Sequence, residues 1–189
     1  VTPGGGEDGH KLVSTYLSGL QALEQLPNSA TRQTFHSLVL CGPEMPLSQQ
    51  VQLQQQAATC PNITFRSFTN NLRSCIKAAD VVVSMGGYNT VTEILSLRKS
   101  AVVVPRIQPS QEQLIRATRF TQRDWVSMIH PERMSEQSLM NAVLGQLSTP
   151  ELKISDIDFN GLSNITHCLN ELISPTALSK CALLMSLLV

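Results

Sequence analysis

The functions open to this sequence are narrowed first by what it has little of. Charge is scarce: 15% of the 189 residues are Asp, Glu, Lys or Arg, and fourteen basic residues cancel fourteen acidic ones. Without a basic excess there is no electrostatic footprint of a protein that coats nucleic acid, so no nucleic-acid partner is expected. A small anion remains accessible, because backbone amides hold one without net charge. The five cysteines, Cys41, Cys60, Cys75, Cys168 and Cys181, lack CxxC spacing, and full pairing would leave one over. That argues against a zinc site or a disulfide framework. Buried, inert thiols in a reducing cytoplasm are the expectation, and the cytoplasm is the expected location. No apolar run reaches the length of a membrane span, roughly 20 residues. No GxGxxG follows the first strand, which disfavours a dinucleotide cofactor. Neither metal nor cofactor is expected. His10, His36, His130 and His167 are scattered and suggest no Ser-His-Asp arrangement; only His10 stands near the site reached below.

Apolar residues, by contrast, are ample at 42%, which excludes disorder and supports one domain with a full core. Strand and helix signals alternate along the chain. Val1-Thr2 reads as a strand end followed by a glycine-rich loop, Gly4-Gly5-Gly6. Leu12, Val13, Tyr16, Leu17, Leu20 and Leu23 then repeat at helical spacing. Ser37 to Cys41 reads as a buried strand, Ser48 to Thr59 as a glutamine-rich helix, Ile63 to Phe68 as a strand and Asn70 to Ala79 as a helix with Leu72, Cys75, Ile76 and Ala79 facing inward. Asp80 to Ser84 is the clearest strand, a continuous apolar run of the kind found when both faces of a parallel sheet are covered. Asn89 to Leu97 follows as a helix, then strand Ala101 to Val104, helix Gln111 to Gln122, strand Val126 to Ile129 and helix Ser135 to Leu147, with Ser135 as its N-cap. Such alternation predicts an α/β, Rossmann-like, doubly wound parallel sheet with helices on both faces. Residues 1–150 are expected to form this domain and residues 151–189 a helical extension or tail. The apolar stretch Ala177 to Val189 leaves three readings open: a helix docking on another domain, a membrane-surface helix, or a frayed end. Because the chain opens on Val1 and runs straight into a strand end, a strand that starts further upstream is expected.

Ligands in doubly wound sheets bind beyond the carboxyl ends of the strands. The most unusual residues stand there. Ser84-Met85-Gly86-Gly87-Tyr88-Asn89-Thr90-Val91-Thr92-Glu93 joins a buried strand to a helix through two glycines. Glycine permits positive φ and close approach of a phosphate, and the helix that follows directs free amides and partial positive charge at the loop. Asn89 or Thr90 is placed to cap that helix. One turn on, Glu93 is placed to accept hydrogen bonds from two adjacent ribose hydroxyls. A tight turn with an ordinary surface glutamate accounts for the spacing equally well. A second element, Pro105-Arg106 and then Glu112-Gln113 at the next helix start, faces the same crevice and is suited to sugar hydroxyls; helix-dipole compensation is the plainer use of Glu112.

Gly86-Gly87-Tyr88-Asn89-Thr90-x-x-Glu93, Pro105-Arg106 and Glu112-Gln113-x-x-Arg116-Ala117, in this order and context, resemble the C-terminal, donor-binding domain of GT-B glycosyltransferases. The branch is that of the bacterial lipid II N-acetylglucosaminyltransferase, glycosyltransferase family 28. The resemblance extends in outline from Val1 to about Leu147. It implies that Glu93 binds the donor ribose, and that Gly86, Gly87, Asn89 and Thr90 hold the diphosphate. Gly4, Gly5 and Gly6 would approach the diphosphate from the first strand, and the segment around Phe68 would hold the base. Glu112 and Gln113 would contact the sugar, with Arg106 adding charge near the diphosphate or pairing with a surface carboxylate. The family's usual sugar-binding pair is two glutamines, and Glu112 departs from it. The implied activity is transfer of a hexose or N-acetylhexosamine from a nucleotide sugar, a UDP-sugar, by an inverting, metal-independent enzyme. The general base and acceptor site belong to an N-terminal acceptor domain or a separate acceptor subunit, and this chain alone is expected to bind donor without efficient transfer. Peripheral membrane contact fits the same branch. Three other readings stay open: a stand-alone donor subunit, a non-catalytic nucleotide-binding module, and half of a UDP-sugar 2-epimerase.

Overall fold

The structure, a computed structural model, describes residues 1–24, 36–60, 62–148 and 157–173. They fall into two compact units, Val1–Ile154 and Ser155–Val189. In the first unit, helices α1 (His10–Glu24), α2 (Leu47–Ala58), α3 (Leu72–Ala78), α4 (Tyr88–Ser96), α5 (Glu112–Thr121) and α6 (Glu136–Leu147) alternate with strands β1 (Ser37–Leu40), β2 (Ile63–Arg66), β3 (Val81–Ser84), β4 (Ser100–Val103) and β5 (Ser127–Met128). Each agrees with its expectation to within a residue or two, except that β2 and α3 are shorter.

All strand pairs are parallel. β1 pairs with β2, with Ser37 beside Ile63 and Leu40 beside Arg66. β3 pairs with β4, Val81 beside Ser100, and β4 with β5. The Val1–Thr2 segment joins the two sets. Thr2 N donates to Val83 O at 2.9 Å on one side, and Leu40 N donates to Val1 O at 3.0 Å on the other. Thr2 bridges Ser84 in parallel. The spatial order is therefore β2, β1, Val1–Thr2, β3, β4, β5. Chain order reverses between Val1–Thr2 and β3, which is the switch point at which doubly wound sheets bind ligands.

Helix faces follow the apolar spacing. In α1, Leu12, Val13, Tyr16, Leu17 and Leu20 are buried and pack with Leu53 and Ala57 of α2 and Leu139, Met140 and Val143 of α6. Helices α3 and α4 pack against each other as a separate group. Gln56 Nε2 in α2 reaches Ser14 O and Ser18 Oγ of α1, so one of the glutamines clamps two helices while Gln52, Gln54 and Gln55 are exposed. Ser135 caps α6: its Oγ accepts from Ser138 N at 3.1 Å, and Ser138 Oγ accepts from Ser135 N at 2.9 Å. This reciprocal box satisfies two otherwise orphaned donors.

Two packing expectations are refined. Of the inward-facing set in α3, only Ile76 is fully buried; Leu72, Cys75 and Ala79 are half-buried because they line a cavity of about 730 Å³ beside Leu38 and Val81. Cys41 and Cys60 are buried as expected, and burial pushes the Cys41 thiol up to about 11. Cys75 is half-buried and Cys168 is exposed, contrary to the expectation of uniformly buried thiols; Cys181 lies outside the described residues.

The second unit contains helix α7 (Gly161–Leu172), with Leu162, Ile165, Leu169 and Leu172 exposed at helical spacing. Asn160 N and Asn164 Nδ2 donate to the Asp158 carboxylate just ahead of it, holding its pKa below the ordinary value. Residues 177–189, with their three open readings, lie outside the described residues. Among the described residues no helix is long and apolar enough to cross a membrane.

Glycine at position 6 is required by geometry: its φ is +99°, and an added Cβ would strike the Cys41 carbonyl oxygen. Gly6→Ala is expected to destabilise the domain by at least about 2 kcal/mol. Gly145, with open space around it inside α6, provides the contrast. Gly145→Ala is expected to stabilise by up to about 1 kcal/mol. Urea unfolding midpoints of both variants measure the difference.

Candidate functional site

Two glycine loops leave the sheet at the switch point. The first, Gly4 to Gly6, follows Thr2 and crosses the Cys41-Gly42 backbone at close range. Gly9 N then donates to Gly6 O at 3.1 Å and leads into α1. The second loop follows β3. Ser84 is fully buried, and its Oγ accepts from Gly86 N at 3.3 Å. Gly86 has φ of +74°, and an added Cβ would stand 2.7 Å from Val103 Cγ1 of β4. The loop is thus held down on the sheet from both its backbone and its missing side chain.

Helix α4 begins at Tyr88, earlier than expected. Its N-cap is Gly87, with no side-chain hydrogen bond to the first turn. Asn89 and Thr90 therefore sit inside the helix and do not cap it; Asn89 is exposed and Thr90 is buried. The first intrahelical bond runs from Val91 N to Gly87 O. The amides of Tyr88, Asn89 and Thr90 precede it, so the positive end of α4 opens toward the loop without a capping side chain. An added Cβ on Gly87 would meet nothing within 4 Å. One turn on, Glu93 Oε2 is shielded from solvent and has no hydrogen-bond partner. Among the described residues only Gln49 Oε1 and Thr121 Oγ1 share that condition. Buried polar atoms are overwhelmingly satisfied, so an orphaned carboxylate oxygen calls for an explanation.

The second element is bound to the first. Gln113 Oε1 accepts from Arg106 N at 3.0 Å, which fixes the turn after β4 and leaves the Gln113 amide nitrogen as the group to offer a ligand. Arg106 pairs with Asp8 of the first glycine loop at 3.6 Å, both about 40% exposed. Arg116 donates to Gly86 O at 3.0 Å and pairs with the Glu112 carboxylate. Gly4, Gly5, Gly6, Gly86, Gly87, Arg106, Glu112 and Gln113 thus come together through a chain of contacts around the switch point. Phe68 stands apart. Its ring is 58% exposed and lines a separate hollow with Leu47, Val51 and Phe65. The segment before it meets the Cys41-Gly42 turn through the backbone, where Cys41 N donates to Arg66 O at 3.2 Å and Gly42 N to Ser67 O at 3.0 Å.

Four residues of the site went unassigned in the sequence. Ser84 and Asp8 hold backbone or charge as just described. Glu44 lays its carboxylate against Gly5, and its N donates to Gly5 O at 2.8 Å. Arg116 was legible as part of a motif, but its three-way contact needs coordinates. The cavity beside α3 is elsewhere: it is lined by residues of β1, β3 and α3, with Val1, Thr2, Val143 and Leu147, and not by the two glycine loops.

The loop geometry separates its two glycines. Gly86→Ala is expected to cost about 1–3 kcal/mol of stability through positive φ and the Val103 contact. Gly87→Ala, with φ of −56° and open space, is expected to change stability by less than about 0.5 kcal/mol. Thermal unfolding of the two variants tests this directly.

With this geometry in place, comparison with known proteins becomes informative. The profile of the glycosyltransferase family 28 C-terminal domain matches residues 4–159. The chain is 25% identical over 148 residues to a UDP-N-acetylglucosamine–N-acetylmuramyl-(pentapeptide) pyrophosphoryl-undecaprenol N-acetylglucosamine transferase of Oceanobacillus iheyensis, covering 74% of this chain and 39% of that protein. The protein of the same name from Chlamydia trachomatis serovar L2 is 28% identical over 141 residues, covering 74% and 38%. A solved structure of the glycotransferase of kitacinnamycin superposes with a TM-score of 0.56 at 19% identity, covering 79% of this chain and 35% of that one; it supports the fold. The chain spans less than two fifths of the length of these relatives. With a family profile over most of its length, the chain belongs to the glycosyltransferase family 28 C-terminal domain, the GT-B fold half of the branch that its sequence motifs resemble.

Proposed function

We propose that this domain binds a nucleotide sugar, a UDP-sugar, as donor for an inverting, metal-independent glycosyl transfer. The observation that carries the proposal is Glu93 Oε2, shielded and unpartnered one turn from the uncapped start of α4. A ribose hydroxyl pair satisfies that oxygen, and a diphosphate satisfies the helix amides. Both groups occur in one ligand at the spacing of one helical turn. The relatives' names specify UDP-N-acetylglucosamine as their donor, which supports uridine as the base and a hexosamine as the sugar. Phe68 and its backbone neighbours at the end of β2 are the proposed base-binding segment. Gln113 Nε2 and Glu112 are the proposed sugar contacts.

In this reading the acceptor hydroxyl oxygen attacks the anomeric carbon, and the bond from that carbon to the diphosphate oxygen breaks with inversion. The leaving diphosphate keeps the electron pair, and the acceptor proton passes to a general base. Backbone amides and the α4 dipole stabilise charge that develops on the leaving group, the task that a metal performs in other transferases. Acceptor and base come from outside this domain, either from another domain of the same protein or from a separate subunit. The polyprenol in the relatives' names supports a site at a membrane surface.

Calorimetry with UDP, UDP-sugars, GDP and dTDP tests the proposal. UDP and one UDP-sugar are expected to bind, with Glu93→Ala weakening both by about tenfold or more, the value of hydrogen bonds to a charged group. Gly87→Ala is expected to weaken UDP while leaving stability unchanged. Absence of nucleotide binding at millimolar concentration, or equal binding by Glu93→Ala, would refute the assignment.

A further inference from the structure

One side chain ties together three pieces of the site. Arg116 lies on α5, and only 14% of its side chain is exposed. Its guanidinium donates to the Gly86 carbonyl at 3.0 Å. It pairs with Glu112 one turn earlier on the same helix. It also stands over the Tyr88 ring, 5.4 Å from the centroid. A planar, permanently charged fork serves three partners at once where a lysine ammonium would not.

The contact with Gly86 has a directional consequence. Peptide groups are planar and trans, so a carbonyl and the following N–H point in opposite directions. With Gly86 O drawn toward Arg116, the Gly87 N–H is turned away from α5. A Cβ on Gly87 would meet nothing within 4 Å, so the loop is open on the side of the Gly87 Cα. Gly87 N–H is therefore a directed donor beside the α4 N-terminus. The same guanidinium fixes Glu112, which is 69% exposed, and backs Tyr88, whose ring is 67% exposed.

We propose that Arg116 is a positioning residue for the donor: it sets the Gly86-Gly87 peptide so that Gly87 N–H points at the diphosphate, and it holds Glu112 and Tyr88 as walls of the sugar subsite. The proposal rests on the donor-binding reading above and assigns Arg116 no contact with the ligand.

The test uses the whole chain with Arg116→Met, Arg116→Lys and Glu112→Gln. UDP affinity is measured by calorimetry, the Gly87 amide by its UDP-induced ¹⁵N–¹H shift, and folding by thermal unfolding. Arg116→Met is expected to weaken UDP about tenfold and to abolish most of the Gly87 shift. Arg116→Lys should recover part of both. Glu112→Gln should alter discrimination among UDP-sugars, and unaltered discrimination overturns the part assigned to Glu112. If Arg116→Met fails to fold, Arg116→Lys alone decides: a wild-type Gly87 shift and wild-type affinity overturn the proposal. Wild-type UDP affinity in Arg116→Met, or a loss of affinity with the Gly87 shift intact, also overturns it. If the wild-type chain binds no UDP, the donor-binding reading and this proposal fall together; if it binds UDP and Arg116 is indifferent, only this proposal falls.

Discussion

The architecture depends on a short seam. Val1 and Thr2 lie between β1 and β3, accepting from Leu40 N and donating to Val83 O, and so join two sets of parallel strands into one order. Without those bonds the two halves are separate small sheets with facing edges. With them, chain order reverses between Thr2 and β3, and both glycine loops are delivered to the same end of the sheet. Everything about the site follows from that reversal. The Gly4 to Gly6 loop must turn sharply against Cys41-Gly42, which leaves no room for a side chain at Gly6. The Gly86 loop must lie flat on β4, which leaves none at Gly86.

The chemistry of the site is built with very little formal charge. Arg106 is engaged by Asp8, and Arg116 by Glu112, Gly86 O and Tyr88. What is left to meet an anion is backbone: the first-turn amides of α4, uncapped by any side chain, and the helix dipole behind them. That economy fits a chain whose basic and acidic residues balance. The carboxylate best placed for a ligand is Glu93, because one of its oxygens has been removed from water without receiving a partner.

Much of this was legible in the sequence. The continuous apolar runs at Val81 to Val83 and Ala101 to Val104 read as doubly covered parallel strands, and the helical spacing in α1 named its inward face, of which Leu23 alone is only partly buried. The glycine pair at the end of β3 marked the candidate site before any comparison. Other features were not readable, for definite reasons. A capping role for Asn89 or Thr90 was a sound inference from residue type, but α4 starts one residue earlier and absorbs both. Half-burial of Leu72, Cys75 and Ala79 follows from a cavity, and periodicity carries no information about voids. Exposure of Cys168 reflects a helix whose polar and apolar faces are both uncovered in its own unit. The clasp by Arg116 joins residues thirty positions apart, and no local pattern reports it.

The ligand site proposed for this domain is the switch point between the glycine loops, and not the cavity beside α3. A crystal structure of the chain with UDP bound tests it most directly. The diphosphate is expected at the start of α4, against the amides of Gly87 to Thr90, with the ribose hydroxyls on Glu93. Density for the nucleotide among Leu38, Leu72, Cys75 and Val81 would contradict it.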